Sequence, residues 1–273
     1  MEKEGDGPRT VIPMKRFGSR CILLAAAWLL FSCTEKHEGI RIAAPDDFCG
    51  VLAYYLVHNK ELVNAESAEE VFPLVDCCST TTEWAMSADR IDAAWLCPDA
   101  AQNLLKKDDR FIIAGPALVN SQVLVIRKDG NPKRIAYSHK REYQRAFIQK
   151  RFGMDCEAIP VMPTVLPHVY EQGNVDGIVI DILKGITLKG KLLRLAGDDT
   201  DIVTYVLVVS KRFSRSANFS RFSVALQDSI ANLNDIGTLT KVLDEQKKMT
   251  AAEVKQIATL SIRFVSPQLH GKR

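Results

Sequence analysis

Short apolar runs alternate with longer amphipathic segments over most of the chain after residue 38. The apolar runs predict buried strands, and the segments between them carry apolar residues at helical spacing. Strands that alternate with helices indicate an α/β fold with mostly parallel sheets. The predicted strands are 40–44, 71–75, 91–96, 111–114, 122–127, 134–138, 156–161, 176–180, 192–195 and 205–210. The predicted helices are 50–64, 81–88, 100–106, 142–152, 164–173, 219–236 and 250–264.

The second half of this pattern repeats the first. The segment 90–94 (RIDAA) parallels 174–178 (NVDGI), and 123–126 (VLVI) parallels 206–209 (VLVV) at nearly the same spacing. Equal spacings of this kind indicate two related lobes, each built from the same unit. The amphipathic tail is expected to pack back on the first lobe.

The N-terminal 32 residues resemble a lipoprotein signal peptide. Basic residues precede an apolar run at 21–31, which is too short to span a bilayer and has the length of a signal-peptide core. The run leads into Ser32 and Cys33, as in a bacterial lipobox, where the cysteine is acylated and becomes the first mature residue. A start at Met14 would give a signal of normal length, and a secretory signal cut elsewhere or an uncleaved anchor stay open. We expect a signal at 1–32, lipidation of Cys33 and a linker at 33–38.

Composition and charge narrow the function classes. The 273 residues are 47% hydrophobic and 25% charged, which is typical of a globular protein and excludes a disordered or collagen-like chain. A formal net charge of +3 is too small to indicate a nucleic-acid partner, which needs a basic stripe. The sequence also contains no Gly-rich phosphate loop, HExxH motif or GxSxG motif.

Two segments carry a resemblance to a known family. The segments 85–94 (AMSADRIDAA) and 169–177 (VYEQGNVDG) resemble the turn that introduces the third strand of each lobe in type 2 periplasmic substrate-binding proteins of ABC transporters. The nearest groups bind nitrate, sulfonates, taurine and thiamine precursors, and the resemblance covers about 39–265. It implies an α/β, two-lobed type 2 periplasmic-binding-protein fold, in which each lobe is a mostly parallel sheet flanked by helices and two crossing strands form the hinge. The implied lobes are 39–127, completed by 211–273, and 128–210.

The resemblance also implies a function. A solute-binding lipoprotein of an ABC importer captures a small ligand between its lobes and presents it to the permease and its ATPase. It is expected to be a monomer, lipid-anchored outside the cytoplasmic membrane, with no enzymatic activity, no required cofactor and no nucleic-acid partner. Two alternatives stay open: an enzyme of similar fold from pyrimidine-precursor or menaquinone synthesis, and a metal-sequestering or redox lipoprotein without a permease.

The ligand site is expected at the carboxyl ends of the strands, where open α/β sheets bind their ligands. In lobe one this edge comprises the loops after the first three strands, and in lobe two the corresponding loops. The turn His139-Lys140-Arg141 could hold an anion, although a solvated turn is the plainer interpretation. The candidate ligand-binding residues are Asp47, Cys49, Cys77, Cys78, Ser79, Thr80, Cys97, Asp99, Ser138, His139, Met162 and Asp181.

Four cysteines fall on the expected site. Cys49, Cys77, Cys78 and Cys97 follow predicted strands of lobe one, and thiolates favour soft cations such as Cu(I) or an organometal. The adjacent pair cannot easily form a disulfide, so it would bind a soft atom or act as a redox switch. These four residues are therefore candidate metal ligands, and the pair resembles the binding protein of a selenocysteine-assisted organometal transport system. In the alternative interpretation the cysteines are structural and the cargo is an ordinary organic ion.

Overall fold

A computed structural model describes residues 39–59, 71–75, 80–127, 130–197 and 200–267. All of them belong to one compact unit, Gly39–Arg273. The expected signal peptide at 1–32, the linker at 33–38 and the lipidated Cys33 lie outside the described residues. Within the described residues, no helix combines the length and apolar character that a membrane crossing requires.

The first sheet contains six strands in the order β11-β4-β10-β3-β1-β2. Strand β1 lies parallel to both β2 and β3, whereas β10 runs antiparallel to its neighbours β3 and β4. Strands β1 and β3 are buried at every position, as expected for the centre of a sheet that is covered on both faces. The strands are β1 (Ile42–Pro45), β2 (Phe72–Leu74), β3 (Ala93–Leu96), β4 (Phe111–Val119), β10 (Val203–Ser210) and β11 (Arg263–Phe264).

The second sheet contains five strands in the order β7-β6-β8-β5-β9. Strand β6 lies parallel to β7 and β8, and β5 runs antiparallel to β8 and β9. Each sheet thus has a parallel part and an antiparallel part, and the strand order β2-β1-β3-β10-β4 of the first corresponds to β7-β6-β8-β5-β9 of the second. The strands are β5 (Gln122–Ile126), β6 (Arg134–Ser138), β7 (Glu157–Val161), β8 (Gly177–Asp181) and β9 (Lys191–Arg194).

Nine α-helices flank the two sheets in the described residues. The first three follow β1, β2 and β3, and the next three follow strands of the second sheet, as in any βα alternation. They are α1 (Phe48–Asn59), α2 (Thr80–Ser87), α3 (Pro98–Lys107), α4 (Glu142–Phe152), α5 (Leu166–Glu171), α6 (Ile182–Gly185), α7 (Ala217–Leu233), α8 (Ile236–Lys247) and α9 (Ala251–Ala258).

The C-terminal tail contains three helices and a strand where the sequence predicts two helices. A carboxylate at Asp235 accepts the backbone N–H of Thr238 at 2.8 Å and starts α8. Thr250 and Glu253 then form a capping box that starts α9. Helix α8 thus lies mostly between the two predicted helices, and the last predicted helical turn at 263–264 instead pairs with β4 as β11.

The lobe boundaries differ from those expected. Strand β5 was placed in lobe one but belongs to the second sheet, and β10 was placed in lobe two but belongs to the first. The chain therefore crosses between sheets at 120–121 and again at 195–202. Both strands are buried along almost their whole length, and burial on both faces leaves no hydrophobic period that tells which sheet a strand joins.

Candidate functional site

A cavity of about 240 Å³ lies between the two sheets, at the carboxyl ends of their parallel strands. Strands β1 and β2 lead into it from the first sheet, and β6 and β8 lead into it from the second. The cavity therefore lies where the strand-end rule predicts a ligand site. The lining residues are Pro45, Asp46, Asp47, Leu74, Val75, Gln122, Ser138, Arg141, Pro163, Thr164, Leu166, Ile180, Asp181, Lys184 and Tyr205.

On the side of the first sheet, Asp47 fixes the wall of the cavity. Its carboxylate accepts the backbone N–H of Cys49 at 2.7 Å, and its carbonyl accepts that of Val51, so Asp47 caps helix α1. Gly50 allows this helix to start close to β1, because a Cβ there would lie 2.5 Å from the carbonyl oxygen of Pro45. The buried Asp47 is thereby held at the cavity by its own helix.

On the side of the second sheet, Arg141 is the main cationic group. It is 7% exposed and lies just before helix α4. One of its terminal nitrogens donates to the hydroxyl of Tyr205 at 3.4 Å, and the guanidinium carbon lies 5.9 Å from the centre of that ring. Tyr205 belongs to β10 of the first sheet, so this contact joins the two lobes within the cavity wall.

Asp181 faces the same cavity from the end of β8. Its Oδ1 accepts the backbone N–H of Leu183 at 3.0 Å, which caps the short helix α6. Its Oδ2 is buried and has no hydrogen-bond partner among the residues that the structure describes. Burial raises the pKa of the Asp181 carboxyl well above its usual range, and the nearby charge of Asp47 raises it further, whereas Lys184 and Arg141 oppose the shift.

Three of the candidates from the sequence line the cavity together: Asp47, Ser138 and Asp181. Two others, His139 and Met162, are exposed and lie outside its lining. Cys77, Cys78 and Ser79 fall outside the described residues. Thr80 is described only as the first residue of α2.

The placement of Cys49 in a loop was wrong, and neither Cys49 nor Cys97 reaches the cavity. Helix α1 begins at Phe48, two residues earlier than predicted, so Cys49 lies inside a helix rather than in the loop before it. Cys97 is the residue directly before α3. Both side chains are fully buried in the core cluster and neither lines the cavity. No group of three or more His, Cys, Asp or Glu side chains among the described residues is arranged to hold a metal ion.

Asp99 joins the lobes instead of lining the cavity. It lies in the first turn of α3 and faces the first turn of α4. Burial raises the pKa of the Asp99 carboxyl, and the nearby backbone N–H groups of Tyr143 and Glu142 lower it by less. A residue that was expected to contact a ligand thus faces a helix of the opposite lobe.

Sequence reasoning missed Gln122, Lys184 and Tyr205. Gln122 begins β5 and Tyr205 lies near the start of β10, directly after the two crossings between the sheets. Their positions follow from the crossings, which the sequence places elsewhere. Lys184 lies on helix α6, whose four residues are too few to show a helical period.

No protein-family model matches the chain, and no curated protein matches it by sequence. Solved structures do match its fold. The ligand-binding component of an ABC-type import system from Staphylococcus aureus, with zinc bound, has a TM-score of 0.65 at 14% identity over 84% of this chain and 85% of that one. The alkanesulfonate-binding protein SsuA from Xanthomonas axonopodis pv. citri, bound to MOPS, has a TM-score of 0.61 at 16% identity over 85% and 88%.

A nutrient-binding protein from Burkholderia cenocepacia, bound to methionine, also matches. Its TM-score is 0.55 at 12% identity, over 72% of this chain and 95% of that one. The three proteins differ in what they bind, and the fold is what they share with this chain. The chain therefore has the two-lobed α/β fold of periplasmic substrate-binding proteins, with a cavity between the lobes.

Proposed function

We propose that this protein is the extracytoplasmic solute-binding component of an ABC importer, which delivers a small molecule to a permease and its ATPase. The observation that carries the proposal is the cavity between the two sheets, because both lobes contribute buried polar side chains to it. The importer components and binding proteins among the structures of the same fold support it.

The geometry fits a clamp that closes on its ligand. Asp47 and Tyr205 reach the cavity from the first sheet, and Ser138, Arg141 and Asp181 reach it from the second. A ligand that contacts both groups is held fully only when the lobes are together. It therefore shifts the population toward the closed state by its difference in affinity for the two states.

We expect ligand-induced compaction, and we expect it to depend on Arg141. A solute that raises the melting temperature of the protein should also lower its radius of gyration in small-angle X-ray scattering. Arg141→Ala should weaken binding by on the order of tenfold to a hundredfold, because it removes charged hydrogen bonds from a buried site. Arg145→Ala is the matched control, since Arg145 is exposed and pairs with Glu142. An unchanged radius at saturating solute would contradict the clamp.

The cargo is proposed to be an organic solute. The cavity is lined by aliphatic side chains together with carboxylates and a guanidinium, which suits a small molecule with an apolar part and charged groups. A soft-metal cargo would depend on Cys77 and Cys78, since Cys49 and Cys97 lie in the core.

Lipid anchoring at Cys33 is part of the same proposal. We expect Cys33→Ala to move the protein from the membrane fraction to the soluble or secreted fraction, because one acylated cysteine would be its sole anchor after cleavage of the signal. Cys21→Ala, inside the apolar run of the signal, serves as the control and should leave fractionation unchanged. Wild-type fractionation of the Cys33 variant, with no acyl mass on the N-terminal peptide, would contradict the anchor.

A further inference from the structure

The cavity contains a pair of carboxylates that come from opposite lobes. Asp47 caps α1 beside the first sheet, and Asp181 caps α6 at the end of β8 in the second. They are close enough for the charge of Asp47 to act on the ionisation of Asp181. Two buried carboxylates that approach each other repel, and a ligand cation bound to both of them reduces this repulsion.

One oxygen of this pair has the properties of a ligand contact. Asp181 is 9% exposed, and its Oδ2 lacks a hydrogen-bond partner among the described residues. The other oxygen holds the N-terminus of α6, so the side chain cannot turn away without losing that cap. A buried acceptor that is fixed in direction and lines a cavity is costly unless a ligand completes its hydrogen bonding.

We propose that Asp47 and Asp181 form the subsite for a primary ammonium group of a small zwitterionic solute, whose anionic group faces Arg141. This inference rests on the proposed function. An ammonium group carries three N–H donors. The two carboxylates and the hydroxyl of Ser138, which line the same cavity, supply three acceptors.

The cavity favours an organic cation over a metal ion. Its volume of about 240 Å³ is several times the ~30 Å³ that one water molecule occupies in the liquid. Leu74, Leu166 and Ile180 offer an apolar surface for the carbon chain of a solute. A hard cation such as Ca²⁺ takes six or more oxygen ligands, whereas the described side chains hold no cluster of three or more acidic, His or Cys groups arranged for a metal.

The remaining charges explain why the solute is a zwitterion. Arg141 and Lys184 also line the cavity, and Asp46 at its rim pairs with Lys247. A bare cation would meet the two positive charges as well as the carboxylates. A solute with an anionic group as well places each of its charges beside an opposite one.

Ionisation of Asp181 couples this subsite to pH. Burial and Asp47 raise the pKa of Asp181, and Arg141 and Lys184 lower it by less. The empty site therefore holds a proton on Asp181 to a higher pH than an exposed carboxyl does. An ammonium group favours the ionised form, so its binding should release that proton, and affinity for it should rise with pH until Asp181 is ionised in the empty site.

The test compares primary amines with analogues that carry a hydroxyl in the same place. The set pairs amino acids, aminosulfonates and aminophosphonates with their hydroxy counterparts, for example taurine with isethionate, and adds Zn²⁺ and Cu(I). We expect at least one amine to raise the melting temperature of the protein. Its hydroxy counterpart should need at least a tenfold higher concentration for the same rise. Calorimetry of that amine in buffers of different ionisation enthalpy should show proton release.

Variants separate the subsite from the fold. Asp181→Asn and Asp47→Asn should each weaken the amine at least tenfold, and Asp181→Asn should also abolish proton release. Both variants keep their helix caps, because asparagine caps as well as aspartate. Asp155→Asn, at an exposed position of the second lobe, should bind like the wild type.

The outcomes distinguish the subsite from the proposed function. Equal binding of amine and hydroxy partner, or binding of only anions or only metal ions, would overturn the ammonium subsite and leave the importer function standing. A set in which no amine binds would likewise overturn the subsite. If, in addition, no solute of any class compacts the protein, the proposed function fails with it.

Discussion

Replacing Asp92 with alanine is expected to lower the free energy of unfolding by about 2–4 kcal/mol, because the change leaves a partly buried arginine without its carboxylate partner. Asp92 lies directly before β3 and is 6% exposed. Its Oδ2 accepts hydrogen bonds from the backbone N–H and the Nε–H of Arg41, each at 3.0 Å. Its Oδ1 accepts a hydrogen bond from a terminal guanidinium nitrogen of Arg41 at 2.9 Å. Arg212, after β10, donates to the same Oδ1 at 3.3 Å. One carboxylate thus ties together three strands of the first sheet.

Asp176 provides the matched control in the second lobe. It lies directly before β8, and its Oδ2 accepts the backbone N–H groups of Lys133 and Arg134 at the start of β6. It has the same structural role but is exposed and takes part in no ion pair among the described residues. We therefore expect Asp176→Ala to cost about 1 kcal/mol in denaturant unfolding. Equal losses of unfolding free energy in Asp92→Ala and Asp176→Ala would contradict the importance of the arginine partners of Asp92.

The contribution of Asp92 should disappear in acid. Burial alone would raise the pKa of its carboxyl, but the hydrogen bonds and charge of Arg41 outweigh burial and hold that pKa below its ordinary 3.8. A carboxyl with a lowered pKa in the folded state stabilises the fold above its unfolded pKa. The stabilisation is lost as the pH falls below about 3.8. The difference in unfolding free energy between wild type and Asp92→Ala should therefore narrow in that range.

These two aspartates give a physical reason for the repeat in the sequence. The backbone N–H of Asp92 donates to the carbonyl of Arg41, and that of Asp176 donates to the carbonyl of Arg134, each at 2.8 Å. In both lobes an aspartate before the third strand of the unit caps the start of the neighbouring parallel strand. A pattern visible in a single sequence thus corresponds to one repeated structural device, which is why two related lobes could be predicted.

The candidate site was predictable only in part, for reasons that particular residues show. Asp47, Ser138 and Asp181 follow strands, so the strand-end rule identifies them. Cys49 was misplaced because the cap at Asp47 starts α1 two residues early and turns the thiol into the core. Tyr205 reaches the cavity through the pairing of β10 with β3 and β4, and apolar periodicity carries no information about which strands pair.

The segments that cross between the lobes depend on Asn120. Its backbone N–H donates to the carbonyl of Ile202 at 2.9 Å, and its Oδ1 accepts the backbone N–H of Ile202 at 3.0 Å. Its Nδ2 donates to Asp201 at 2.7 Å and to the carbonyl of Ser261 at 3.0 Å. One side chain therefore joins both crossings and the C-terminal tail. Beside it, the buried hydroxyls of Ser121 and Thr204 bond to each other at 2.9 Å.

Asn120→Ala is therefore expected to cost about 2–4 kcal/mol of unfolding free energy, since it breaks three side-chain hydrogen bonds and leaves the N–H of Ile202 unsatisfied in a buried position. Asn120 also has a φ of 62°, in the left-handed region that asparagine tolerates better than alanine. Asn120→Gly loses the same hydrogen bonds without that strain, so it should be less destabilised than the alanine variant by about 1 kcal/mol. Asn174→Ala, at an exposed position, should change little. Chemical denaturation of all four proteins measures the series, and alanine and glycine variants of equal stability would show that the backbone at this crossing is unstrained.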